Sequence, residues 1–158
     1  MGRIGKAVRT AVCGTALMLL ALPGISAATE PGMHDMKNGE KIFSGKAGPW
    51  TAEARLVDMK AQMEQSGVSA KTAARFAGKR HLMLFLTDPA TGKPVSGVVG
   101  KAVVTGPEKA SSSKVTLVPM GEHIGADVNM PAPGEYTFKA DIESAGKKGS
   151  ATFPYTLK

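Results

Sequence analysis

An antiparallel β-sandwich of about seven strands is the fold class this sequence predicts, and three observations predict it. From His81 onward, apolar and polar residues alternate with a period of two. Gly- and Pro-rich turns separate the alternating runs at short intervals. No long helical pattern lies between the runs, which excludes a parallel sheet, because parallel strands need crossover connections. Short strands in this arrangement fit a sandwich of immunoglobulin-like type.

The elements follow in chain order. Residues 1–28 read as a secretory signal peptide. Arg3, Lys6 and Arg9 form a positive start, an apolar run extends from Ala11 to about Leu22, and Ser26-Ala27-Ala28 offers small residues for cleavage. The apolar run is shorter than the ~20 residues a membrane-spanning helix needs. Residues 29–48 read as a flexible leader containing Met and His, broken by Pro31-Gly32, Asn38-Gly39 and Gly48-Pro49. The β-domain is expected over residues 49–158. Trp50 to Met63 fits two patterns. Leu56, Met59 and Met63 fall at helical spacing, while Trp50, Ala52, Ala54 and Leu56 alternate. A strand to about Met59 is preferred, because the sheet needs a first strand. Ser69 to Phe76 reads as a short helix capped by Ser69.

Leu82, Leu84 and Leu86 then share one strand face, with His81, Met83 and Phe85 on the other. Asp88-Pro89 and Thr91-Gly92-Lys93-Pro94 turn the chain. Val98–Thr105, Val115–Met120, His123–Met130, Tyr136–Ile142 and a closing run ending at Leu157 supply the remaining strands, with a turn at Gly146-Lys147-Lys148-Gly149. The core is expected from Leu82, Leu84, Leu86, Ile124, Val128, Tyr136, Phe138, Ile142, Phe153 and Tyr155.

Composition removes most function classes. The chain has 158 residues and one cysteine, Cys13, which falls in the signal segment. Cysteine zinc sites, CxxC redox chemistry and disulfide scaffolds are therefore excluded. Without Arg3, Lys6 and Arg9, 17 Lys/Arg face 13 Asp/Glu, so the net charge of +7 falls to +4. Scattered lysines with few aromatics among them are not a nucleic-acid footprint. There is no Gly-x-Ser-x-Gly elbow, phosphate-binding loop or dinucleotide fingerprint, and no paired carboxylates stand out, so no enzyme is expected.

What remains is soft-ligand chemistry. Nine Met and three His are present. Thioether sulfur and imidazole nitrogen suit copper, Cu(I) above all, whereas added carboxylates suit harder ions such as iron. His81 and Met83 stand two residues apart on one strand face, ~7 Å from each other. His123 and Asp127 share the non-core face of a later strand, and Met120 precedes them. The candidate metal ligands are His81, Met83, Met120 and His123, with Met33-His34-Asp35-Met36 as a looser set in the leader. The expectation that they converge requires the two strands to be neighbours.

Pro119-Met120-Gly121-Glu122-His123-Ile124-Gly125-Ala126-Asp127-Val128, with Pro133-Gly134-Glu135-Tyr136 after it, resembles a pattern of the periplasmic iron-transport accessory proteins. That pattern is a Met, then His-aromatic-Gly-Ala-Asn/Asp, then Gly-x-Tyr. His81-Leu82-Met83 is similar to the family's other ligand segment, His-Leu-Glu. The stretch from His81 to Val95 is also similar to exported domains of the YtkA-like group. The resemblance covers about residues 80–157. It implies an immunoglobulin-like domain that binds copper or iron, with metal contacts from His81, Met120 and His123. Met83 replaces the family's carboxylate, which softens the site toward copper, and Ile124 replaces the aromatic. The expected protein is a periplasmic metal carrier or buffer whose cargo is a metal ion, copper favoured over iron, and whose partner is an inner-membrane permease or efflux complex. A metal-free secreted interaction module, or an envelope-complex subunit, is the alternative.

Overall fold

A computed structural model describes residues 39–108 and 112–158. Eight strands form one antiparallel sheet: β1 (Glu40–Ala47), β2 (Trp50–Asp58), β3 (Lys79–Thr87), β4 (Val99–Thr105), β5 (Ser112–Met120), β6 (His123–Asn129), β7 (Gly134–Ser144) and β8 (Lys147–Leu157). Their order across the sheet is β1-β2-β3-β6-β5-β4-β7-β8. Strand β3 lies beside β6 rather than β4, a Greek-key crossover, and this crossover brings the two histidine-bearing strands together.

The sheet curls until its ends approach. Tyr155 of β8 donates a hydrogen bond to the Glu40 carboxylate of β1 at 2.8 Å. Phe43 of β1 stacks on Phe153 of β8 with ring centroids 4.5 Å apart, and Phe153 stacks on Phe138 at 5.4 Å. Gly149 of β8 lies against the backbone of Ala47, where a Cβ would overlap the Ala47 carbonyl. The architecture is all-β and antiparallel as expected, but it is a nearly closed, barrel-like sheet of eight strands rather than a seven-strand sandwich of two separate layers.

Residues 29–38 of the expected leader lie outside the described residues, but residues 40–47 form the extra strand, β1, and so belong to the sheet. The sequence conceals it because the β1–β2 register shifts between Lys41 and Phe43. The irregularity leaves Ile42 and Phe43, adjacent in sequence, both partly buried, so the period-two pattern is broken. After β2, both readings of Trp50 to Met63 hold in turn. The strand ends at Asp58, whose carboxylate caps helix α1 (Met59–Gln65) by accepting from the Ala61 N–H at 3.1 Å. A second short helix, α2 (Ala70–Ala73), follows Ser69 and runs into a 3-10 turn at Ala74–Phe76. The Ser69 hydroxyl bonds Thr72 Oγ1 instead of a backbone N–H. The last hairpin is tighter than the expected Gly146–Gly149 turn. Ala145 and Gly146 both have positive φ, 48° and 74°, as a two-residue hairpin turn needs, and β8 resumes at Lys147.

Inside the sheet the alternation holds. Leu82, Leu84, Leu86, Ile124, Val128, Tyr136, Phe138, Ile142 and Phe153 are buried in one core, and Tyr155 packs at its border. The Tyr136 hydroxyl donates to the Ala132 carbonyl at 2.7 Å and pins the turn before β7. No helix of the described residues is long and apolar enough to cross a membrane.

Candidate metal centre

The outer face of β3 and β6 is built by the same alternation that fills the core. With Leu82 opposite Ala126 and Leu84 opposite Ile124 pointing inward, the outward pairs are His81 with Asp127 and Met83 with Gly125. Phe85, the next residue of β3 on this face, lies against His123 with ring centroids 5.2 Å apart. The β5–β6 hairpin adds Met120 opposite His123 and Val118 opposite Gly125. Directly opposed residues of an antiparallel pair share a face. His81, Met83, Met120 and His123 therefore sit on one side of three adjacent strands.

The His81 and His123 rings meet edge to face at 6.2 Å between centroids, 84° apart in plane. Gly125, between them on β6, makes the approach possible: a Cβ there would stand 2.9 Å from His81 Nε2 and 2.8 Å from the Leu82 carbonyl. Its backbone is not in the left-handed region, so the glycine serves closeness rather than conformational freedom.

Pointing away from the core does not expose these groups. His81 is 7% exposed and Met83 fully buried. Gly39, at the entrance to β1, lies over the thioether end of Met83, where a Cβ would meet Met83 Cε at 3.0 Å. Met120, at 38% exposure, is the accessible member.

The electrostatics favour the neutral form of the His123 imidazole. Burial, and then the nearby His81, hold the His123 imidazole below its ordinary value. His81 Nδ1 lies 2.7 Å from Asp127 Oδ1. The Nε2 atoms of both His81 and His123 are buried and have no hydrogen-bond partner. Two orphaned ring nitrogens are costly unless something coordinates them. Among the described residues no cluster of three or more His, Cys, Asp or Glu is placed to hold a metal. Two nitrogens with Met sulfur form a donor set suited to copper.

The four sequence-predicted residues share this face, whereas sequence reasoning missed Asp127 as the partner of His81 and Gly125 as the gap beside it. Both depend on the β3–β6 register, and the only trace in the sequence is their shared outward parity with His123. Met33, His34, Asp35 and Met36 lie outside the described residues.

The curled antiparallel sheet has counterparts among solved structures. The copper-reconstituted P19 protein from Campylobacter jejuni superposes with a TM-score of 0.56 at 15% identity, covering 76% of this chain and 98% of P19. The chain has the fold of P19. FetP from uropathogenic Escherichia coli gives 0.50 at 16% identity, covering 75% of this chain and 93% of FetP. A copper-bound variant of P19 gives 0.54 at 12% identity, covering 75% and 98%. Neither a protein-family model nor a curated protein sequence matches the chain.

Proposed function

We propose that this protein is an exported, periplasmic copper-binding protein that carries or buffers the metal without catalysing a reaction. The observation that carries the reading is the pair of buried, unpartnered Nε2 atoms of His81 and His123 on one face, next to Met83 and Met120. Each histidine offers a nitrogen lone pair and each methionine a thioether sulfur. When bound, copper would be held by soft and borderline donors with no carboxylate among them, a set that favours Cu(I) over iron. The signal-like first 28 residues support export, and the fold shared with copper-bound P19 supports the metal. An inner-membrane permease or efflux complex is the partner such a carrier serves, and iron is the alternative cargo.

Anaerobic titration of the chain lacking residues 1–28 with Cu(I), in parallel with Cu(II) and iron, tests the reading. Tight Cu(I) binding that is lost in His123→Ala supports it. Binding no tighter than micromolar for every metal would favour the second reading, a metal-free interaction module or envelope-complex subunit. The observation behind that second reading is the exposed apolar Val99, Val118 and Met120 on β4 and β5.

A further inference from the structure

Asp127 contributes no atom to the proposed ligand set, yet it makes the shortest polar contact to it: its Oδ1 lies 2.7 Å from His81 Nδ1. An ionised carboxylate only accepts hydrogen bonds, so the proton between them must sit on Nδ1. A neutral imidazole carries one N–H, and Nε2 is then left as a bare lone pair. That Nε2 is the buried, unpartnered atom beside the gap at Gly125, on the side where His123 stands. In the other tautomer Nε2 carries the proton and cannot coordinate.

We infer that Asp127 is the positioning residue of this centre, committing His81 to the tautomer whose Nε2 faces the gap at Gly125 and fixing the ring plane there. The inference rests on the copper reading for its purpose but not for its geometry, which belongs to the metal-free chain. The register makes it specific. His81 and Asp127 are directly paired across β3 and β6, so their side chains meet by construction, while the Asp127 side chain is otherwise 65% exposed and takes no part in the core. Gly125, two residues before it on the same face, keeps clear the space into which Nε2 is aimed. Outer-shell carboxylates that hold a ligand histidine commonly set metal affinity by 10–100-fold.

The test compares the metal-free wild type with Asp127→Asn and Asp127→Ala. The His81 tautomer is read from two-bond proton–nitrogen correlations at about pH 8, where an ordinary imidazole is neutral. The wild type is expected to show the Nδ1–H form alone. Asp127→Ala should show the Nε2–H form or a mixture, and Asp127→Asn, whose amide oxygen still accepts from Nδ1–H, should restore much of the wild-type pattern. Cu(I) affinity should follow the same order, with Asp127→Ala about 10–100-fold weaker. Circular dichroism and thermal melting confirm that each variant is folded. An Nε2–H form in the wild type, or an unchanged tautomer in folded Asp127→Ala, overturns the inference. A tautomer that responds as expected in a chain that binds no copper supports positioning by Asp127 and overturns the metal reading instead.

Discussion

His81 and His123 meet edge to face at 6.2 Å, with both Nε2 atoms buried and unpartnered, although they belong to strands far apart in the chain. The Greek-key crossover that pairs β3 with β6 creates this relationship, and Gly125 leaves the room for it.

In the proposed ligand set, metal preference depends on Met83. Its thioether stands where a carboxylate would make a harder site, so Met83→Glu should lower the preference for Cu(I) over iron, while His123→Ala should weaken both metals. Parallel competition titrations measure this. Unchanged Cu(I) affinity in His123→Ala would place the metal elsewhere, with Met33 to Met36 the first residues to examine.

Gly125→Ala should disable the site without changing any ligand. The new Cβ would stand 2.9 Å from His81 Nε2 and 2.8 Å from the Leu82 carbonyl, so the imidazole and the local ladder must shift. Cu(I) affinity should fall while the far-UV spectrum keeps its β signature. Wild-type affinity in this variant would show that the two imidazoles do not act together.

The metal-free chain should lose stability on mild acidification, partly through His123. Burial, followed by the nearby His81, sets its folded value below the unfolded value of 6.5. The unfolded chain therefore takes up the proton first as pH falls. The stability tied to the neutral ring is complete above that unfolded value and is lost as pH drops through the folded one. Melting curves of wild type and His123→Gln between about pH 8 and pH 5 check it. The wild type should show the steeper loss, and parallel curves would remove His123 from the account. Copper binding should weaken over the same range, because a protonated imidazole cannot coordinate.

Closure of the sheet can be read at Tyr155. Burial, reinforced by its hydrogen bond to Glu40, pushes the phenol up to about 12. Spectrophotometric titration of the chain, which has only one other tyrosine, Tyr136, should find a phenol ionising near that value. Glu40→Gln should bring it partway toward 10 and leave the remainder to burial. An ordinary phenol in the wild type would mean that β1 and β8 do not meet as described.

The core prediction is the simplest. Phe138 is fully buried and stacked on Phe153, so Phe138→Ala should cost about 3–5 kcal/mol in denaturant unfolding. A cost below ~1 kcal/mol would contradict that packing.

By itself, the sequence determined the elements whose period is regular. Leu82, Leu84 and Leu86 mark the inward face of β3, and Ile124, Val128, Tyr136, Phe138 and Ile142 mark those of β6 and β7, because alternation is a local property that any window of a few residues displays. The parity of His81, Met83 and His123 relative to that core is equally local. Strand β1 was not legible, because its register shift near Phe43 breaks the alternation and its partner strand is needed to see why Ile42 and Phe43 are both partly buried. The pairing of β3 with β6 was not legible either. Which strands become neighbours depends on how the whole sheet curls to bury both its ends, a balance of non-local contacts with no local signature. Only that pairing put Asp127 against His81, set Gly125 opposite Met83 and faced two imidazoles toward each other. The burial of Met83 beneath Gly39 is likewise a decision of the assembled sheet, since parity says which way a side chain points and not what covers it.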